Sequence, residues 1–573
     1  MKGAASPSKS SDQASARRDG VFLPEGAMRP FVGTSLASIS NWCEYGVWGM
    51  TLHDDQTPWF VLLECFQILH HRGATSGTGA LFPGLATGLD GKPEHEHVRY
   101  EVPMNRNLRH LLFRDRDVLR LAAGSQTDQA ALWRELQNSA VQIERRSPLD
   151  LSYLPDVFDD FGKFARSIEL LRSAEVESFN VKRWTSRHLL PLGRSMLFAD
   201  VDDGTPSADK RFFRRTGEIL YLMLNRSRDD LRRDLDARVR ERVTGPRHPL
   251  DELASRVAGP GEGRASSAGA PVAFSTGYLP MPRMKVYDRL AEDWIALLSL
   301  SAMQFESLLD PLTRLSDLHL IIYTITRSWE EMGGVGDVPP IVFDLTGSAR
   351  RNPVQRLAAD QYDHHRMLPR RAVEAFLDRF RASPEWQQLR GKHTSRESAH
   401  KLLKERFQWS RGSGDPMASS LAEPEEQLQE LLASFQGGAS HTVWSFLAAH
   451  ARRCGLILTR PRAGTWYAPS DNVLEALVLA NVTGPIEFGR FLRRLRARYG
   501  IVIGAEDARM AFGDGARSLE PFKANQTRLE ERLAVLGCID RKSDDCAFVI
   551  NPFHRRDGAE DRKDATRTAG AAA

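Results

Sequence analysis

The residues best suited to metal-dependent chemistry lie near the middle of the chain. Asp344 ends an apolar run, PPIVFDL, and the segment DQYDHH follows at 360–365. A carboxylate at the end of a buried strand is a common position for a metal ligand in phosphoryl-transfer enzymes. The further oxygen and nitrogen ligands on offer are Asp360, Asp363, His364 and His365. One hypothesis is therefore a metal-dependent nuclease with its site around Asp344 and Asp360–His365.

This nuclease hypothesis has a simpler competitor. A restriction-enzyme core needs a Glu-x-Lys on the next strand, and none is convincingly placed after Asp344. In the alternative, Asp344 caps the turn after its strand and the histidines are ordinary surface residues. The chain also lacks the motifs of P-loop proteins, α/β-hydrolases, zinc proteases and kinases. Catalytic residues are therefore left unassigned, and neither a metal nor a cofactor is predicted.

Contact with phosphates is a second kind of chemistry, indicated by clustered arginines in the last third of the chain. Residues 441–500 contain nine arginines and no lysine against three acidic residues, an excess of six positive charges. The planar guanidinium group suits phosphates and guanine edges. The residues predicted to bind nucleic acid are Arg460, Arg462, Arg490, Arg493, Arg494, Arg498, Arg541 and Lys542.

Two copies of one structural outline are expected to position these cations. Residues 441–468 and 521–553 each predict a helix, a glycine stop, and two apolar strands joined by a short polar turn. This order is the outline of a winged helix. Arg460 and Arg462 flank the first predicted wing, whereas aspartates dilute the charge of the second. The first copy is therefore predicted to touch nucleic acid, and the second to dock a protein or close the fold.

The most basic predicted helix lies between the two hairpins, over residues 485–499. Its apolar residues recur at spacings of three and four, which predicts one buried face. The predicted core residues of this helix are Phe488, Phe491, Leu492, Leu495 and Tyr499. Arginines occupy most of the remaining positions, and a second helix is predicted just before it at 470–482.

Length and composition describe an ordinary globular protein. The chain has 573 residues, of which 41% are hydrophobic and 27% charged, and its net charge is +4. This small net charge means that nucleic-acid binding must be argued from local patches. No segment has the length or character of a signal peptide or a membrane span. Five scattered cysteines are typical of a reducing compartment, so a cytoplasmic location without a membrane partner is expected.

The predicted fold is mainly α with small β-hairpins (α+β), divided among several domains. The amino-terminal domain is expected to be mostly helical, and the stretch 244–272, rich in Gly, Pro and small residues, is predicted to be a linker. The predicted boundaries are a disordered tail at 1–27, the amino-terminal domain at 28–243, the linker at 244–272, a helical middle domain at 273–408, winged-helix-like modules at 425–469 and 470–553, and a disordered tail at 554–573.

The carboxyl-terminal third resembles a group of bacterial proteins. The stretch TWYAPSDNVLEALVLANVTGPIEFGRFLRRLRARYGIVIG and the closing RLEERLAVLGCIDRKSDDCAFVINPF are similar to the ends of accessory proteins from anti-phage islands, of the methylation-associated defence type. The resemblance implies partner subunits that include a DNA methyltransferase, a specificity subunit and ATP-dependent effectors. It implies no site residue in this chain.

The sequence therefore predicts a DNA-binding or complex-docking subunit of an anti-phage defence system. Two alternatives stay open. One is the metal-dependent nuclease around Asp344, and the other is a structural scaffold that binds a partner protein through its winged helices. Whether the chain has any enzymatic activity is not predicted.

Overall fold

A computed structural model gives the fold of the chain. It describes residues 21–28, 39–49, 54, 56–75, 79–87, 93–94, 98, 100, 106–143, 149–176, 188–196, 216–245, 247–259, 278–347, 352–390, 396–407, 422–437, 443–513, 519–543 and 546–554. Most of the two predicted tails, residues 1–20 and 555–573, lies outside the described residues.

The chain forms two compact units, each assembled from three separate segments. The first unit comprises Met1–Asp288, Leu320–Val338 and His365–Arg453, and the second comprises Arg289–His319, Pro339–His364 and Cys454–Ala573. The sequence boundaries described consecutive domains, whereas the observed units interleave along the chain.

Helices dominate both units, as the composition and periodicity indicate. In the amino-terminal half they are α1 (Ile39–Trp48), α2 (Pro58–Thr75), α3 (Arg106–Phe113), α4 (Asp115–Ala123), α5 (Gln129–Ile143), α6 (Leu154–Val157), α7 (Phe161–Ser173), α8 (Thr216–Asn225), α9 (Asp229–Val239) and α10 (Pro249–Ala258). A π-helical turn, Arg240–Thr244, follows α9.

Eleven more helices follow in the part of the chain after Ala258 that the structure describes. They are α11 (Lys285–Leu298), α12 (Phe305–Glu331), α13 (Pro353–Arg381), α14 (Pro384–Gln387), α15 (Arg396–Phe407), α16 (Pro424–Gly437), α17 (Val443–Cys454), α18 (Asp471–Asn481), α19 (Phe488–Tyr499), α20 (Ala505–Phe512) and α21 (Glu520–Val535). No helix within the described residues is both long and apolar enough to cross a membrane.

The sheets are small. The strands are β1 (Ala86–Thr87), β2 (Pro93–Glu94), β3 (Glu175–Val176), β4 (His188–Leu189), β5 (Ile341–Val342), β6 (Ile457–Arg460), β7 (Gly464–Tyr467), β8 (Ile486–Glu487), β9 (Ile501–Val502), β10 (Ile539–Ser543) and β11 (Cys546–Val549). The pairs β1–β2, β3–β4 and β6–β7 are antiparallel, β5–β9 is parallel, and β10, β11 and β8 form one antiparallel sheet in that order.

The core of the first unit centres on helices α2 and α8. Thr57 caps α2, since its hydroxyl accepts the backbone N–H of Phe60 at 3.3 Å, and Pro58 suits the first helical turn. Every residue of α8 is buried. A Cβ on Gly217 would lie 2.5 Å from the Glu64 Cβ, so glycine is what lets the two helices approach so closely.

Helix α10 lies inside the stretch predicted to be a linker. His248 caps it by accepting the Leu250 N–H at 3.2 Å, and Pro249 starts its first turn. Ala254 and Val257 are fully buried. The small side chains of this stretch predict a flexible segment, but in α10 they allow close packing. Residues 260–272 of the predicted linker lie outside the described residues.

In the second unit, strand β5 becomes part of the carboxyl-terminal fold. Ile341 pairs with Ile501 in a parallel register. The Asn525 side chain on α21 joins the two strands, because its Nδ2 donates to the carbonyls of Phe343 at 2.8 Å and Ile503 at 3.0 Å. Its Oδ1 accepts the Leu345 N–H at 2.7 Å. Of the run 339–345 predicted to be a strand, Ile341–Val342 are paired as one.

The two predicted helix–hairpin copies differ in their strands. Both hairpins form, β6–β7 and β10–β11. Within the described residues, the first is a two-stranded sheet, whereas β8 adds a third strand to the second, with Phe548 opposite Glu487. Helix α17 belongs to the first unit up to Arg453, and the hairpin after it belongs to the second.

Candidate nucleic-acid interface

Local sequence determines where the basic helix α19 begins, ends and buries its apolar face. The Glu487 carboxylate accepts the N–H groups of Gly489 and Arg490, both at 2.7 Å, and so caps its first turn. Gly500, with φ of +69°, ends it in the left-handed conformation. The buried side chains are the five predicted from spacing: Phe488, Phe491, Leu492, Leu495 and Tyr499.

Three of the α19 arginines lie on the exposed side of the helix. The guanidinium groups of Arg490 and Arg494 contact no carboxylate among the residues that the structure describes, and the Arg494 guanidinium donates to the carbonyl oxygen of Asn481. Arg493 Nη1 lies 3.1 Å from a carboxylate oxygen of Glu506, and Nη2 lies 3.8 Å from Glu487. Arg490 and Arg494 therefore offer the most accessible positive charge on this helix.

Arg496 and Arg498 are held by acidic residues from other segments. Arg496 Nε lies 3.2 Å from the buried Asp507 carboxylate, as an ion pair without hydrogen-bond alignment, and burial raises the pKa of Asp507. The Arg498 guanidinium donates to the carboxylates of Glu292 and Asp293. Arg498, predicted to bind nucleic acid, is thus already bound within the second unit.

Asp293 is the centre of a buried polar network. Its carboxylate is fully buried and accepts the Tyr499 hydroxyl at 2.8 Å, while His319 Nε2 lies 2.7 Å away. Asn481 Nδ2 in turn donates to the Tyr499 oxygen at 2.7 Å. Burial, and then the Asp293 carboxylate, raise the pKa of Tyr499 well above its usual range, so its hydroxyl remains a donor. Burial by itself would lower the pKa of Arg498, but Asp293 and its neighbours raise it.

No functional role was predicted from the sequence for Asp293, His319 or Asn481, although Arg498 and Tyr499 of the same network were predicted as a phosphate contact and a core residue. Asp293 and His319 are far apart in the chain, and no motif links them. The available signal was weak: each lies within an apolar helical segment, where an unpaired charge would be costly to bury. Such residues are usually paired in the folded protein, but their partners cannot be read from spacing.

The cations of the two hairpins have different surroundings. Arg460 is exposed at the end of β6 and donates to the Gly347 carbonyl at 3.3 Å. Arg462 is exposed in the turn and has φ of +64°, a conformation uncommon for a residue with a side chain. On β10, the Arg541 guanidinium forms an ion pair with Glu530, and Lys542 Nζ lies 2.7 Å from Asp540 Oδ2.

The structure gives the Asp344 carboxylate a structural role. It is 2% exposed, accepts the Trp466 indole N–H at 3.1 Å, and accepts the Thr346 hydroxyl at 2.7 Å. It also accepts the Thr346 backbone N–H at 3.1 Å, which is the turn-capping arrangement considered as the alternative to metal binding.

The other candidate metal ligands lie along helix α13. Asp360 and Asp363 are exposed, His364 is partly buried and His365 is fully buried. Within the described residues, no three His, Cys, Asp or Glu side chains are grouped so that they could hold a metal ion.

A scan against known protein families, a search of curated proteins and a search of solved structures found no match to this chain.

Proposed function

We propose that the carboxyl-terminal part of the second unit is a winged-helix-like module that binds DNA through phosphate contacts. The order α18, β8, α19, α21, β10, β11, with β11 between β8 and β10 in the sheet, is the topology expected of a winged helix. Strand β9 and helix α20 are then an insertion between its second and third helices. In helix–turn–helix folds the first helix of the motif, the position that α19 holds, crosses the DNA backbone.

The observation that carries the proposal is the exposed side of α19. Arg490 and Arg494 are one helical turn apart, so both guanidinium groups project from the same face. Neither contacts a carboxylate among the described residues. Guanidinium groups that have no carboxylate partner bind phosphate oxygens, and this binding releases condensed counterions from DNA. Arg460 and Arg462 of the first hairpin are proposed as additional contacts, and Arg498 is not.

Replacing both Arg490 and Arg494 by alanine should weaken DNA binding and its salt dependence. We expect the slope of log K against log salt concentration to become less negative by roughly 2, because about 0.9 counterion is released for each phosphate contact. Fluorescence anisotropy of a labelled duplex, titrated with the full chain at several salt concentrations, measures this slope.

The matched control for this experiment is the pair Arg541→Ala and Lys542→Ala. It removes the same formal charge from β10, an element other than the proposed binding helix, so the slope should change much less. An unchanged slope in the Arg490 and Arg494 variant would sink the assignment of α19 as the DNA-binding face.

Protein docking is a second candidate function, favoured by the surface around α21. Its exposed cations are paired: Arg528 with Glu531 at 2.7 Å and Lys523 with Glu520 at 3.0 Å. Val535 at its end is 89% exposed. A neutral surface with an exposed apolar residue suits a protein partner better than a phosphate backbone. Following the resemblance, we propose a subunit of an anti-phage system as that partner, with the DNA methyltransferase first.

A co-expression experiment tests this docking surface. We expect the full chain to co-purify with a co-expressed DNA methyltransferase subunit of such a system, and Val535→Asp to reduce the recovered complex several-fold by placing a charge in the contact. The double variant of Arg490 and Arg494 serves as the control, since it leaves α21 unchanged. Equal recovery with Val535→Asp and the wild-type chain would contradict docking at this position.

A further inference from the structure

The inserted helix α20 brings two carboxylates against the basic helix. Gly504 precedes α20, and its first turn carries Glu506 and Asp507, where acidic residues favour helix formation. Glu506 Oε2 lies 3.1 Å from Arg493 Nη1, and Asp507 Oδ1 lies 3.2 Å from Arg496 Nε. Both contacts lie within the second unit.

These two carboxylates differ in what they can do. Asp507 is 2% exposed, so its pair with Arg496 is part of the packing between α19 and α20. The Glu506 side chain is 64% exposed, and the Arg493 side chain is 47% exposed. An ion pair this accessible is weak and exchanges readily with other ions. Glu506 is therefore the carboxylate that an incoming anion can replace.

We propose that Glu506 is a built-in competitor for phosphate at Arg493. This inference rests on the proposed function, the binding of DNA by the exposed arginines of α19. Arg493 is adjacent to Arg494 and close to Arg490 on the helix, so a phosphate backbone held by those two residues passes within reach of it. The Glu506 carboxylate contacts Arg493 Nη1, so it competes with a phosphate oxygen for that donor.

The geometry explains how a basic helix can stay selective for a densely charged partner. A single anion gains little by displacing Glu506, because it exchanges one negative group for another. A polyanion gains more, because contacts to Arg490 and Arg494 already hold it beside Arg493. The partner class implied is therefore a nucleic-acid backbone with several phosphates in a row.

Glu506→Gln should strengthen binding of a duplex of about 20 base pairs by roughly 1.5- to 5-fold at low salt, the factor expected from losing one exposed ion pair. The readout is fluorescence anisotropy with the full chain. Glu531→Gln is the matched control: it removes the same charge from α21, where Glu531 is 55% exposed and pairs with Arg528. We expect a smaller gain for this control.

A double-mutant cycle completes the experiment. In an Arg493→Ala background, Glu506→Gln should give no gain beyond that of Glu531→Gln, because the arginine that it frees is absent. No gain from Glu506→Gln alone, equal gains from both glutamine variants, or a gain that persists without Arg493 would each overturn the inference while leaving DNA binding intact. A wild-type chain that does not bind the duplex would overturn both.

Discussion

Asp293→Ala should lower the free energy of unfolding of the second unit by about 3 kcal/mol or more, because it removes one partner of a buried charged network. The variant leaves the Arg498 guanidinium, whose side chain is 22% exposed, without its most buried carboxylate. It also leaves the Tyr499 hydroxyl and His319 Nε2 without the oxygen atoms that they contact. Urea unfolding followed by circular dichroism measures the change, with the two units allowed separate transitions.

Glu292→Ala is the matched control for Asp293→Ala. Glu292 contacts the same guanidinium group from the same helix, but its side chain is 32% exposed. Its loss should cost less than about 1 kcal/mol, since water replaces an exposed partner. Similar destabilisation by the two substitutions would contradict the view that the buried network, rather than simple charge balance, holds α19 in place.

Asn525→Ala should destabilise the second unit by about 2–4 kcal/mol, because it leaves several buried backbone groups without a hydrogen-bond partner. Asn525 is fully buried and accepts from Leu345 while donating to Phe343 and Ile503. The Asn525 amide therefore makes backbone hydrogen bonds of the kind that a further strand would make between β5 and the end of β9. The same urea unfolding experiment measures the loss.

Thr527→Ala provides the control on the same helix. Thr527 is exposed, and its hydroxyl donates only to the Lys523 carbonyl in the turn before it, at 3.2 Å. Its replacement should change stability by no more than about 0.5 kcal/mol, because alanine also has the higher helix propensity. If Asn525→Ala is as mild as Thr527→Ala, the three backbone contacts do not carry the pairing of β5 with the carboxyl-terminal fold.

The elements of the carboxyl-terminal third were predictable because their signals are local. Spacing at three and four residues predicted the core face of α19. The short polar turns between apolar runs predicted both hairpins. None of these features depends on which distant segment packs against them.

Strand pairing and unit boundaries could not be predicted in the same way. The apolar run at 339–345 predicts a strand, but nothing in its residues indicates that Ile341 pairs with Ile501. A parallel pair requires a long connection, and the partner depends on how the intervening helices fold. The interleaved units have the same origin, since contacts between distant segments define them.

By itself, the sequence determined that the chain is mainly helical and that residues 441–500 carry an excess of arginine, most of it on α19 and the first hairpin. Only the tertiary structure decided which of those charges stay available. Of the acidic residues near α19, Glu487 lies within the arginine-rich stretch 441–500. The others lie outside that stretch: Glu292, Asp293, Glu506 and Asp507. Because Coulomb attraction depends on distance in space and on burial, a count along the chain overstates the positive charge that this helix presents.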